Sequence, residues 1–162
     1  MSQRDSERRR VLIPVDLTPD HLLGFLELLH SLGGSVDSMR VGDSISESVE
    51  ILPHVIDVAE ALGLVTQSRG DLRITPLGQK IVRGDPKTVR RELRKLASLL
   101  DPIAEIVEAL KRKASLKVEE FMELVEKYYP GNAEKAAKNL LIWGAFLHLF
   151  KMDEDDEEIH PL

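Results

Sequence analysis

Five histidines, His21, His30, His54, His148 and His160, are the first residues to weigh for chemistry, because neutral imidazole both ligates metals and carries protons. They are scattered along the chain, and none forms the His pair at i, i+4 that seats zinc on a helix face. The chain has no cysteine, which removes disulfides, thiolate metal sites and a thiol nucleophile. No G-x-S-x-G elbow occurs, and Ser44, Ser46 and Ser48 near Asp43 suit turns and caps. The phosphate-cradling G-x-x-x-x-G-K-[ST] is also missing: Gly33-Gly34 has no lysine after it and no strand before it. The run at 153–158 is acidic but lacks the central glycine and alternating ligands of a calcium loop. A non-catalytic protein without cofactor or metal is the expectation. The enzymatic alternative is an acid–base site assembled only in three dimensions.

Two other patterns point to interaction. Residues 80–95 hold seven basic side chains against Asp85 and Glu92. Within them Lys87, Arg90, Arg91, Arg94 and Lys95 recur at i, i+3, i+4, i+7 and i+8, while Val89, Leu93, Leu96, Ala97 and Leu100 make a separate apolar stripe. Such a basic face is either solvated and paired with the protein's own acids, docked on an acidic partner, or bound to nucleic acid or another anion. Further on, residues 140–150 are apolar nearly all round the helix they would form. That helix either runs through the middle of a helical lobe or packs on another chain, a symmetric homodimer being the simplest version. Its candidate interaction residues are Leu140, Trp143, Phe146, Leu147 and Phe150. Tyr128 and Tyr129 continue a helical apolar repeat and read as core or interface edge rather than a platform for bases.

Thr18-Pro19, Thr75-Pro76, Asp85-Pro86 and Asp101-Pro102 each offer a capping oxygen followed by a proline suited to the first helical turn. The first helix runs to about residue 32, where Gly33-Gly34 stops it. A short helix over 37–45 and a longer one over 48–62, kinked or restarted at Pro53, come next. Two strand-like runs, 64–69 and 72–75, flank Gly70-Asp71 as a hairpin. Arg69-Gly70-Asp71 is read as that turn rather than an adhesion motif. From residue 85 helices are expected over 86–100, 102–114, 117–129 and 132–150. The fold class is mostly α with a small β-hairpin wing. A leader with a short apolar run (1–17) precedes a winged-helix-like lobe (18–84), a helical lobe (85–150) and an acidic tail (151–162). The tail is either solvated or folded onto the basic stripe, and its last four residues could form a strand beside 11–15.

The 162 residues, 43% hydrophobic and 31% charged, suffice for one globular domain or two small lobes. No apolar run approaches the ~20 residues of a membrane span, and a cytoplasmic location is expected. The net charge of −6 (22 basic, 28 acidic) comes from the six acids at 153–158, without which the chain is neutral. The better argument against nucleic acid is local. Between Gly42 and Leu62, where a winged helix reads DNA, there are five acids and no Lys or Arg.

Several segments together resemble a known family. They are Ile51-Leu52-Pro53-His54-Val55-Ile56 leading to Ala61-Leu62-Gly63-Leu64, then Gly70-Asp71-Leu72-Arg73-Ile74-Thr75-Pro76-Leu77-Gly78, then Leu141-Ile142-Trp143-Gly144 and Leu149-Phe150-Lys151-Met152-Asp153-Glu154. This order resembles the AAA-associated C-terminal domain, the module behind the ATPase domain of ABC transporters of the nitrate, sulfonate and bicarbonate type. The resemblance runs from about Pro19 to the C-terminus. It departs after Trp-Gly, where the family has an aromatic and a basic residue and this chain has Ala145-Phe146-Leu147-His148, and at the end, where Met152-Asp153 replaces Tyr-Asp. The resemblance implies a freestanding, non-catalytic regulatory or interaction module with a protein partner, an ABC-type ATPase among the candidates. The alternative from another class is a winged-helix transcription regulator that binds DNA through the basic stripe and leader.

Overall fold

Thr18 opens the first helix, α1 (Pro19–Ser31), with a reciprocal cap. Its hydroxyl accepts the His21 N–H at 3.3 Å, and His21 Nδ1 accepts the Thr18 N–H at 3.0 Å, so a histidine fills the place usually held by Glu or Gln. The structure, a computed structural model, describes residues 10–37 and 49–162. They form two units: Leu17–Glu92, and the segment up to Asp16 together with Leu93–Leu162.

In the Leu17–Glu92 unit, α1 buries Leu22, Phe25, Leu26 and Leu29. It ends where Gly33 and Gly34 take positive φ, and the Gly34 N–H returns to Leu29 O at 2.8 Å. Strand β2 (Ser35–Asp37) follows, so Asp37 closes a strand and does not start the expected 37–45 helix. The rest of that helix lies outside the described residues. A single 3-10 turn (Val49–Ile51) then leads into α2 (Leu52–Ala61), with Pro53 in its first turn, where a missing N–H costs nothing. The expected hairpin is present as β3 (Val65–Ser68) and β4 (Asp71–Ile74), and β2 adds to it in the antiparallel order β2-β4-β3. Arg69 and Gly70 both have positive φ, the geometry of a two-residue turn whose twist suits flanking strands.

The segment Thr75-Pro76-Leu77-Gly78 then starts α3 (Pro76–Arg83). Thr75 Oγ1 accepts the Gly78 N–H at 3.1 Å and donates to Gly63 O at 2.7 Å, tying the helix start to the end of α2. Gly78 has to be glycine for a steric reason: a Cβ there would lie 2.7 Å from Ile74 Cγ1 and would strike the Leu64 carbonyl. Helix α4 (Pro86–Lys95) begins at the third expected cap, where Asp85 Oδ1 accepts the Thr88 N–H at 2.8 Å.

The fourth expected start does not form as read. Asp101 belongs to a two-residue strand, β5 (Leu100–Asp101), that pairs in parallel with β1 (Val11–Leu12), and α5 (Ile103–Lys113) begins only after Pro102. The helix expected to reach residue 100 therefore stops at Lys95, and a 3-10 turn (Ala97–Leu99) bridges the gap.

The N-terminal segment is pinned to this second unit. Ile13 N–H donates to Asp101 O at 2.9 Å, Tyr129 OH donates to Ile13 O at 2.5 Å, and Lys135 Nζ lies 2.7 Å from Asp16 Oδ1. From residue 10 onward the expected leader is a built strap.

Strand β6 (Leu116–Lys117), α6 (Val118–Tyr128) and α7 (Ala133–Phe146) follow. Helix α7 ends four residues before Phe150, the expected terminus. His148 takes φ 58°, and Phe150 begins β7 (Phe150–Met152). Residues 151–162, expected as a tail, are structured: β7 pairs with β8 (Glu158–Pro161), and β6 completes the antiparallel order β6-β8-β7. The C-terminal strand thus lies between β6 and β7, while residues 11 and 12 have β5 as their partner. Ile159, fully buried, joins Trp143, Phe121 and Phe150 among the enclosed side chains of this unit. The chain is mostly helical with small sheets, as the pattern of caps and apolar repeats indicates.

Candidate interaction surface

The exposed side of α4 carries Lys87, Arg90, Arg91, Arg94 and Lys95, all five exposed to solvent. Helical spacing is what separates them from Leu93, which is buried, and from Val89, which is half-buried. The acid of this helix, Glu92, is only 6% exposed. Its Oε2 lies 3.4 Å from Lys80 Nζ on α3 and 3.5 Å from Arg91 Nε. A carboxylate buried that far requires such partners, so Arg91 and Lys80 have a structural task. Asp85, at the start of the same helix, is held below the ordinary aspartate range by the Thr88 backbone N–H and then the Thr88 hydroxyl. It is the acid the stripe needs at its N-terminal end, where helix dipole and amide donors both favour negative charge. The result is a cationic helix face with its own negative charges placed beneath or at the end of it.

The apolar residues expected to meet a partner lie elsewhere. Leu140 and Trp143 are each 1% exposed, and Leu147 and Phe150 are fully buried. Phe146 is half-buried. Helix α7 packs against α6 and β7 of its own unit, and the chain turns back after Phe146 so that Phe150 covers the helix from which it was expected to project. Of the two alternatives for an all-round apolar helix, this is enclosure within the lobe. The large apolar side chain that α7 leaves exposed is Ile142.

The tyrosines are also part of this unit's framework. Tyr129 is buried, with its hydroxyl on Ile13 O, and burial raises its pKa. Tyr128 donates to Glu105 Oε1 at 3.0 Å, and burial followed by that bond pushes its phenol up to about 12. Lys127 stands 3.6 Å from the same Glu105 oxygen and 5.7 Å from the Tyr128 ring centroid. Both hydroxyls therefore serve as structural donors within this unit.

Helix α2, in the segment where a winged helix was expected to read DNA, exposes His54, Asp57 and Glu60. Two exposed carboxylates on that face repel a phosphate backbone. Ser44, Ser46 and Ser48 lie outside the described residues. His21 is occupied by the α1 cap.

One grouping is not evident from sequence spacing. Asp153, Glu158 and His160 come together across the β7–β8 hairpin, with one potential ligand atom from each within 4.8 Å of the others. The alternation of Glu158 and His160 about the buried Ile159 is the sequence signal. It is only three residues long and follows a run of acids that resembles a solvated tail.

Among the described residues no helix is long and apolar enough to cross a membrane. A sequence model of the C-terminal AAA-associated domain matches residues 39–153. No curated protein matches the chain.

Proposed function

Because the chain belongs to the C-terminal AAA-associated domain family, we propose that it is a non-catalytic regulatory module that docks on an ATPase of the ABC type through the cationic face of α4. The observation that carries this reading is the exposure of Lys87, Arg90, Arg91, Arg94 and Lys95 on one helix of a family defined by its association with ATPase domains. Five cations on one face favour an acidic partner surface, steer its approach and set the register of docking. The mechanism is a population shift: a module that binds one conformation of the ATPase better than another biases it toward that conformation. This work takes place in the cytoplasm, where such ATPases turn over nucleotide. Docking through α7 or homodimerisation on it is not part of the proposal, since Leu140, Trp143, Leu147 and Phe150 are enclosed.

The test is calorimetric titration of the chain against the ATPase domain of a nitrate-, sulfonate- or bicarbonate-type transporter, with steady-state ATPase rates alongside. Binding that weakens with salt, is lost in Arg90→Glu/Arg94→Glu and changes the ATPase rate supports the proposal. Binding indifferent to that charge reversal, or tighter salt-dependent binding to duplex DNA, overturns it. The second outcome would favour the winged-helix transcription regulator, whose reading helix here has exposed Asp57 and Glu60 against it.

A further inference from the structure

The β7–β8 hairpin places two carboxylates and an imidazole on one face. Glu158 and His160 are two apart on β8, so their side chains point the same way, while Ile159 between them is buried. Met152 is the register partner of Ile159, and the next step of the ladder, the Asp153 N–H donating to Glu158 O at 2.8 Å, sets Asp153 opposite Glu158 on the same face. His160 Nε2 lies 3.3 Å from Glu158 Oε1 and 3.8 Å from Asp153 Oδ2. Two ligand atoms held at about 2.1 Å from a tetrahedral metal are roughly 3.4 Å apart, so these separations need little change to close on an ion.

The Asp153 carboxylate is already oriented. Its Oδ1 accepts the Glu157 N–H at 2.9 Å, leaving Oδ2 directed toward His160. That backbone bond is also the first cause of its lowered pKa. A fixed second oxygen is how ligating carboxylates are commonly held. Two cations share the face. Lys151 is the register partner of His160, and Lys117 on β6 is the register partner of Glu158. Both lysines are exposed and free to swing away on long side chains, whereas a metal bonds the three inner groups directly.

We propose that Asp153, Glu158 and His160 form a binding site for a divalent transition ion of the zinc type, with water completing the coordination. Neutral imidazole with two carboxylate oxygens selects such an ion over calcium or magnesium, which take all-oxygen sets. The bound ion clamps β8 to β7 across the acidic turn, and so holds Ile159 in the core. This site is independent of the α4 surface.

The experiment is calorimetric titration of the full chain with Zn2+ at neutral pH, with Co2+ as spectroscopic probe and Ca2+ as control. One ion per chain is expected, with visible Co2+ bands showing an imidazole–carboxylate site. Ca2+ should bind at least about tenfold more weakly, and His160→Gln and Asp153→Asn should each cost about tenfold or more in Zn2+ affinity. Circular dichroism checks that the variants fold, and a rise in Tm with Zn2+ in the parent chain but not in His160→Gln reads the clamp separately. Lys151→Ala tightens the site by removing a neighbouring cation. Zn2+ affinity unchanged in His160→Gln, Ca2+ binding as tight as Zn2+, or no binding at 100 µM ion each overturns the proposal.

Discussion

Gly144 and Phe150 are in steric contact: a Cβ on Gly144 would lie 2.6 Å from Cδ1 and Cζ of the Phe150 ring. The chain makes this approach by ending α7 at Phe146, where the Leu149 N–H returns to Gly144 O at 2.8 Å. The Trp-Gly pair therefore has two functions. Trp143 fills the core, and the missing side chain beside it admits the aromatic ring of β7. Gly144→Ala should destabilise the chain by about 1–3 kcal/mol despite its better helix propensity, because the ring has to move off its site. Denaturant unfolding measures this. A double variant that adds Phe150→Leu should show positive coupling, losing less than the two single changes summed.

A second prediction concerns the Thr-Pro-Leu-Gly helix start. Thr75→Ala removes both the acceptor for Gly78 N–H and the donor to Gly63 O, and should cost about 1–2 kcal/mol. Thr75→Ser keeps both bonds and should recover most of the loss. Gly78→Ala should be worse than Thr75→Ala, since its Cβ meets the Leu64 carbonyl and the Ile74 side chain. Equilibrium unfolding of the three variants gives the ranking.

The N-terminal strap is the subject of a third. Tyr129→Phe leaves Ile13 O without its phenolic donor and should lower stability by about 1 kcal/mol. Truncation to begin at Leu17 should cost far more, because β5 loses its parallel partner and the core loses fully buried Ile13. Thermal melts of Tyr129→Phe and of the truncated chain make the comparison.

The alkaline limb of stability should carry the signature of Tyr128. Its folded pKa, about 12, lies above the ordinary value of 10.0. The protonated phenol's contribution is therefore complete below pH 10 and is lost as pH rises through about 12. Tyr128→Phe should flatten that part of the profile while losing the bond to Glu105. On the acid side the signs reverse. Asp85 and Asp153, both lowered by backbone N–H bonds, contribute above the ordinary aspartate value of 3.8, and the contribution is lost as pH falls through their depressed folded values. Asp85→Asn should shallow the acid limb in a pH series of urea melts.

Much of the helical framework is legible in the residues themselves. Thr18, Thr75 and Asp85 cap the helices they were expected to cap, because capping joins groups only three residues apart and needs no distant partner. The hairpin, with its turn at Arg69-Gly70 one residue before the Gly70-Asp71 expected, the enclosed apolar face of α1 and the exposed cations of α4 follow from equally local spacing. The family, too, was legible in the order of such pieces.

Tertiary structure decided the remainder. Asp101 failed as a helix cap because its backbone is taken by Leu12 and Ile13, about ninety residues earlier, in a strand pair too short to leave a periodic signal. Residues 150–162 looked like an apolar helix end followed by an acidic tail, yet a His148 at φ 58° reverses the chain and lets Phe150 and Ile159 bury themselves. Hydrophobic pattern alone established that Leu140, Trp143, Leu147 and Phe150 had to be covered. That their cover is α6 together with the chain's own final strands, which also gather Asp153, Glu158 and His160, depends on the pairing of β8 with the distant strand β6, whose energy exists only once the strands have met.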